Sequence, residues 1–130
     1  MNDVSQPAAD ATNSDTAAAV WFFSGDLLFA SRIRSAAERA GVPFALLGRW
    51  PDDAPSLPRW IIVDLSTRAG AAAEIRRLAS ETFPTAQTIA YGPHVQAQRL
   101  SQARQAGYDK VLTRGQFDAA LPDIFTAADG

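Results

Sequence analysis

The stretch Trp60-Ile61-Ile62-Val63-Asp64-Leu65-Ser66 decides the fold of this chain. It begins with four apolar residues that are aromatic or β-branched. Such a run is typical of a strand that is covered on both faces and lies in the middle of a parallel sheet. Asp64 follows at the point where the apolar run ends. In open α/β sheets, binding and chemistry are concentrated at the carboxyl ends of the strands, so Asp64 is the first candidate for a functional residue.

Similar apolar runs and helical patterns alternate along the rest of the chain. We predict further strands over 18–23, 43–47, 88–91 and 110–113, and helices over 27–40, 71–82, 95–106 and 119–127. Right-handed crossovers turn this alternation into a parallel sheet with helices on both faces. The predicted fold is therefore α/β, a single doubly wound five-stranded sheet of the flavodoxin-like type with strand order 2-1-3-4-5.

The segment 48–59 differs from the other connections. It contains three prolines and two adjacent aspartates, so it predicts a shortened second helix of at most one turn. Trp50 within this segment either covers the edge of the sheet or is exposed as an anchor for a partner.

The helical patterns also assign individual positions. The periodicity predicts that Leu28 faces inward in the first helix and that Val95 faces inward in the helix over 95–106. For the last helix, Asp118 is the predicted N-cap. This places Pro122 in the first turn, where its missing N–H costs little.

The composition excludes several kinds of site. The chain of 130 residues has a net charge of -2, which is no footprint for nucleic acid or an anionic membrane. With no cysteine and a single histidine, disulfides, thiolate zinc sites and histidine-rich metal sites are excluded. We find no membrane-spanning run and no signal-peptide pattern, so the expected location is cytoplasmic. We expect a disordered tail over 1–17, followed by one domain over 18–130.

The segment from about 18 to 127 resembles the response-regulator receiver domain. The resemblance rests on Ile61-Ile62-Val63-Asp64-Leu65, on the run from Ala106 to Arg114 (AGYDKVLTR), and on Phe117-Asp118. It implies a receiver-like fold. In that family, an aspartate after the third strand accepts a phosphoryl group, and two acidic residues after the first strand help to hold magnesium.

The resemblance identifies Asp64 with the phosphoacceptor. The acidic pair of the family falls on Ser24 and Gly25, with Asp26 one position later, so most of the magnesium ligands are missing. Asp26 and Asp64 are weak candidates for a metal site. We predict no bound cofactor, and magnesium only if Asp64 is phosphorylated.

The remaining positions of the family pattern are also altered. The Ser or Thr that senses the phosphoryl group falls on Gly92, and the lysine that follows the fifth strand falls on Arg114. The proline expected after that lysine is Gly115, and the aromatic switch residue is Val111. This pattern resembles the pseudo-receivers, the receiver-like proteins that act without phosphorylation.

Asp64 is expected to share its edge of the sheet with other polar residues. This predicted pocket rim consists of Ser24, Gly25, Asp26, Ser66, Gly92, His94, Thr113 and Arg114. Because a planar guanidinium suits a carboxylate, Arg114 bonded to Asp64 would hold the rim in one state without phosphate; the alternative is a solvated Arg114. Ser24-Gly25-Asp26 is expected to form a turn and helix cap, and His94 to lie at a helix start.

No catalytic constellation is present, so we expect no enzymatic activity. The first hypothesis is a non-catalytic receiver-like module that binds an unknown protein or a second copy of itself. The resemblance implies a partner surface on the fourth helix, fifth strand and fifth helix, with Arg99, Gln102, Gln105, Gln116 and Asp118. The alternatives are a regulator phosphorylated on Asp64 by a histidine kinase, and a small flavodoxin-like enzyme or ligand-binding protein.

Overall fold

The computed structural model describes residues 19–125, and the predicted tail over 1–17 lies outside this range. Five strands form one sheet: β1 (Ala19–Phe23), β2 (Phe44–Leu47), β3 (Pro58–Asp64), β4 (Gln87–Gly92) and β5 (Lys110–Thr113). They lie in the order β2-β1-β3-β4-β5, and every neighbouring pair is parallel. The predicted doubly wound sheet of order 2-1-3-4-5 is confirmed.

Helices cover both faces of this sheet. They are α1 (Leu27–Arg39), α2 (Leu65–Arg68), α3 (Ala72–Thr82), α4 (Ala97–Ala106) and α5 (Arg114–Ile124), with a 3₁₀ turn at Ala69–Ala71. The helices α1 and α5 pack on one face of the sheet, and α3 and α4 pack on the other. The run from Trp60 to Val63 in β3 is buried between these layers, as its continuous apolar character predicts. No helix within 19–125 is long and apolar enough to cross a membrane.

The connection between β2 and β3 contains no helix, which lies within the predicted limit of at most one turn. Trp50 covers this part of the sheet. Its ring lies 5.4 Å from the ring of Trp21, 6.0 Å from that of Phe23 and 6.1 Å from that of Phe83. The indole N–H of Trp21 donates to the Ser56 hydroxyl at 3.0 Å and ties the connection to the core. Of the two interpretations of Trp50, the structure supports the cover.

Two apolar side chains predicted to face inward are exposed. Leu28 is 85 % exposed, because Phe29 and Ile33 occupy the buried stripe of α1. Val95 is 76 % exposed, because α4 begins only at Ala97 and Val95 belongs to the preceding turn. The two errors differ: α1 begins at Leu27 as predicted but buries Phe29 in place of Leu28, whereas α4 begins two residues later than predicted.

The last helix begins earlier than predicted. Thr113, and not Asp118, is its N-cap: the Thr113 hydroxyl accepts the N–H of Gln116 at 3.1 Å, and the Gln116 side chain accepts the N–H of Thr113 at 2.9 Å. This reciprocal pair is a capping box. Pro122 therefore lies near the end of α5, where its ring removes one backbone hydrogen bond. The predicted end of the helix at residue 127 lies outside the described residues.

Candidate functional site at Asp64

Asp64 is the last residue of β3 and the N-cap of α2. Its backbone is extended, with φ of -85° and ψ of 106°, so the chain turns directly from strand to helix at this residue. The side chain is fully buried, at 0 % exposure. Its position at the carboxyl end of a central strand agrees with the prediction, whereas the immediate start of a helix at Leu65 was not predicted.

Four donors saturate the Asp64 carboxylate. Oδ1 accepts the backbone N–H of Ser66 at 2.9 Å and the Ser66 hydroxyl at 2.6 Å. Oδ2 accepts the Ser24 hydroxyl at 2.7 Å and the Thr67 hydroxyl at 2.9 Å. An ionised carboxylate offers about four acceptor positions, so little of its hydrogen-bonding capacity remains free.

The same hydroxyl groups connect two loops that are far apart in sequence. The Ser24 hydroxyl, which donates to Asp64, accepts the N–H of Asp26 at 2.9 Å. The Thr67 hydroxyl likewise accepts the N–H of Gly25 at 3.0 Å. Asp64 is therefore the centre of a network that holds the β1–α1 turn against the start of α2.

Asp26 forms a second, more exposed centre on the same edge. Its Oδ1 accepts the N–H of Phe29 at 3.0 Å and caps α1, in agreement with the predicted turn and cap. Its Oδ2 lies 3.4 Å from Nη1 of Arg114. The N–H of Phe29, followed by the charge of Arg114, lowers the pKa of the Asp26 carboxyl below its ordinary value.

The hypothesis that Arg114 bonds Asp64 is wrong. As the first residue of α5, Arg114 lies on the α1 side of the sheet, with its guanidinium carbon 4.3 Å from the centre of the Phe29 ring. It reaches Asp26 from there, while the oxygens of Asp64 are occupied by Ser24, Ser66 and Thr67.

Gly92 lies at the end of β4, where the family pattern has a hydroxyl residue. A Cβ atom at Gly92 would lie 3.2 Å from Cβ of Leu65 and 3.9 Å from a methyl carbon of Leu100. The space that a serine or threonine side chain would need is thus occupied by Leu65. His94 lies exposed in the turn before α4, short of the predicted helix start.

The residues predicted for the partner surface divide into two groups. Gln102 and Gln105 are exposed on α4. The other three have bonds within the chain: Arg99 donates to the carbonyl of Leu65, Gln116 completes the cap of α5, and Asp118 pairs with Arg32 of α1. Asp118 consequently faces α1, which was not predicted.

Sequence reasoning missed two members of this region. Thr67 has a recognisable signal, because an aspartate followed by hydroxyl residues two and three positions later is typical of a capped helix start. Tyr91 pairs in register with Asp64 and is fully buried, and its hydroxyl has no hydrogen-bond partner within 19–125. Burial, with a smaller effect of the Asp64 charge, raises the pKa of Tyr91 above its ordinary value. No sequence signal distinguishes it from other core aromatics.

The structure offers little to a metal ion or a small ligand at Asp64. Within 19–125, no cluster of three His, Cys, Asp or Glu side chains is placed to bind a metal. Three surface cavities of about 280, 350 and 310 Å³ are lined by side chains of α1 and α5, of α3 and α4, and around Phe29 and Arg114. None of these three includes Asp64.

Comparisons with known proteins support the fold. The sequence matches no protein-family model and no curated protein. Among solved structures, a response regulator from Thermotoga maritima is similar, with 12 % identity, a TM-score of 0.64, and coverage of 86 % of this chain and 97 % of that one. A Burkholderia thailandensis protein assigned to pilus assembly (CpaE) has 20 % identity, a TM-score of 0.65, and coverage of 87 % and 98 %. A response regulator from Burkholderia pseudomallei with a phosphorylated aspartic acid has 17 % identity, a TM-score of 0.61, and coverage of 87 % and 71 %.

The chain therefore has the fold of a response-regulator receiver domain. The resemblance derived from the strand ends is confirmed at this level, since the strand order and nearly the whole described length agree.

Proposed function

We propose that this protein is a receiver-like signalling module that acts by protein–protein contact, without phosphoryl transfer to Asp64 and without catalysis. The observation that carries the proposal is the buried Asp64 carboxylate, whose two oxygens accept four hydrogen bonds of 2.6–2.9 Å. In this arrangement the aspartate is a structural acceptor.

Phosphoryl transfer needs a free carboxylate oxygen in line with the leaving group and a cation that neutralises charge in the transition state. Here an attacking oxygen would first have to lose hydroxyl donors from Ser24, Ser66 or Thr67. The resemblance aligns Ser24 with an acidic ligand position, and Ser24 has a neutral hydroxyl that donates to Asp64 in place of a carboxylate. The position of the sensing hydroxyl is Gly92, which has no side chain, and a Cβ there would lie 3.2 Å from Cβ of Leu65.

The surface that we assign to the partner is the outer face of α4, β5 and α5. Gln102 and Gln105 extend from α4 without a structural task within 19–125, and β5 is an edge strand of the sheet. Among the similar structures are a receiver-domain dimer of NtrC4 and proteins assigned to pilus assembly. These are in keeping with a protein partner or a second copy of the chain as the ligand of this surface.

Incubation with acetyl phosphate and magnesium, followed by intact mass measurement, tests the absence of phosphorylation. We expect no phosphoryl adduct, while a phosphorylatable receiver domain treated in parallel acquires one. An adduct that disappears in Asp64→Asn would contradict the proposal and favour the phosphorylated regulator.

The partner surface has its own test. We expect the double variant Gln102→Arg/Gln105→Arg to lose the protein captured by the wild type from source cells, or the self-association seen by light scattering. The control, Ser35→Arg on α1, should retain it. Equal behaviour of both variants would place the contact elsewhere.

A further inference from the structure

We propose that Leu65 and Arg99 hold α4 in one fixed position against the Asp64 corner, so that the partner surface is presented permanently. The inference rests on the proposed function, since it describes how the surface of that module is maintained. It assigns roles to Leu65, Gly92 and Arg99 that concern packing and not chemistry.

The first contact is apolar. Leu65 directly follows Asp64, is only 1 % exposed, and packs where Gly92 has no side chain. The methyl group of Leu100, the buried leucine of α4, faces the same space. The ends of β3 and β4 and the inner face of α4 therefore meet at one point.

A glycine is required at position 92 because a side chain would collide with Leu65, and not because the backbone adopts a conformation that only glycine tolerates. The glycines with positive φ within 19–125 are Gly41 and Gly107, so any residue can adopt the conformation of Gly92. A Cβ at Gly92 would approach Cβ of Leu65 to 3.2 Å, a distance at which the neighbour has to move. In a close-packed interior such a shift propagates to whatever packs behind it, here Leu100 and α4.

The second contact is polar and involves the neighbouring residue of α4. Nη1 of Arg99 donates to the backbone carbonyl of Leu65 at 3.1 Å and to the side-chain oxygen of Gln96 at 3.2 Å. Leu65 thus shares the space beside Gly92 with Leu100, within the same apolar cluster, and its backbone carbonyl is bonded by Arg99. The N–H of Ser66, bonded to Asp64, fixes the same turn from its other side.

A conformational switch requires an element with two arrangements of similar free energy. The contacts of Leu65 favour one arrangement of α4 and involve no group that changes covalent state. We therefore expect α4 to keep its position whether or not phosphoryl donors are present.

Hydrogen exchange of the α4 amides, referenced to those of α1, tests this inference. Leu65→Ala should accelerate exchange in α4 at least about tenfold, because truncation of a buried leucine removes its packing locally. Arg99→Ala, a surface change that leaves the core intact, should accelerate it about threefold, and Arg104→Ala on the same helix should leave it unchanged.

If α4 and α1 respond equally in Leu65→Ala, and Arg99→Ala behaves like Arg104→Ala, the fixed position is disproved. Because this measurement uses neither a partner nor a phosphoryl donor, its failure is separate from that of the proposed function. Repeating it with acetyl phosphate and magnesium should give the wild-type pattern again, and a change confined to α4 would overturn the inference.

Discussion

Two carboxylates at the same edge of the sheet, Asp64 and Asp26, have opposite surroundings. Asp64 is buried and accepts four short hydrogen bonds, three of them from hydroxyl groups. Asp26 is partly exposed, caps α1, and forms an exposed ion pair with Arg114 at 3.4 Å. The difference indicates which carboxylate the fold depends on: a buried acceptor leaves several unpaired donors when removed, whereas an exposed ion pair contributes about 0–1 kcal/mol.

The hydrogen bonds of Asp64 also give it a structural role at this edge of the sheet. The position that accepts a phosphoryl group in receiver domains here organises two loops through Ser24 and Thr67. The more accessible carboxylate, Asp26, lies beside a cation and has a lowered pKa. Within 19–125, no cluster of three His, Cys, Asp or Glu side chains is placed to bind a metal at either carboxylate.

The largest expected difference in the free energy of unfolding is between the alanine variants of Asp64 and Asp26. Asp64→Ala should lower the free energy of unfolding by about 2–4 kcal/mol, since it leaves the hydroxyls of Ser24 and Thr67 and the N–H of Ser66 without their acceptor. Asp26→Ala should cost only about 1 kcal/mol, the usual value of a helix cap. Urea denaturation of both variants measures the difference. Equal losses would remove the distinction between the two sites.

Replacing Tyr91 and Tyr108 by phenylalanine should change the stability of the protein by smaller amounts and in opposite directions. Tyr91→Phe removes a buried hydroxyl that has no partner and should stabilise the protein by about 1 kcal/mol. Tyr108→Phe removes a hydroxyl that donates to the carbonyl of Ala72 at 2.7 Å and should destabilise it by a similar amount.

Thermal and urea unfolding of the two phenylalanine variants provide this measurement. A loss of stability in Tyr91→Phe would indicate that the Tyr91 hydroxyl has a partner, such as a buried water beside Asp64.

The smallest expected effect is the change with pH in the contribution of Asp26 to the free energy of unfolding. Its folded pKa lies below the unfolded value, so its contribution to stability is complete above the unfolded pKa and is lost as the pH falls through the folded pKa. The stability difference between the wild type and Asp26→Asn should therefore be constant above about pH 5 and shrink toward pH 3.

Arg114→Ala should weaken this pH dependence slightly, while Arg34→Ala, whose guanidinium lies over Phe44 on the exposed side of α1, should leave it unchanged. Urea unfolding at a series of pH values follows both. An undiminished difference at pH 3 would show that protonation of Asp26 costs no stability, which would contradict a pKa lowered by folding.

Much of the fold could be predicted because burial on both faces imposes a continuous apolar run on a central strand. Trp60 to Val63 and Trp21 to Phe23 are such runs, and Ser24-Gly25 marks the end of the second. Helix starts were less predictable, as Val95 and Asp118 demonstrate. The first residue of a helix depends on which side chain caps it, and several neighbouring residues in the sequence could act as the N-cap.

The candidate site was predictable only in its location. The end of β3 had to lie at the carboxyl edge, so the position of Asp64 followed from the strand itself. Ser24 and Ser66 were expected on the same rim, but their bonds to Asp64 did not follow, because they depend on side-chain directions that only the packed strand ends set. Arg114 was assigned to the wrong carboxylate for a related reason: the start of α5 sets its direction, and α5 was placed too late.

The sequence by itself determined the alternation of strands and helices, the central strand with an acid at its end, and the missing helix after β2, because apolar periodicity and proline act locally. Only the tertiary structure decided that Asp64 is a saturated structural acceptor, that Leu65 fills the space beside Gly92, and that Arg114 faces Asp26. These depend on side chains brought together from separate strands and helices, and their directions are set by packing across the sheet edge, which no local pattern encodes.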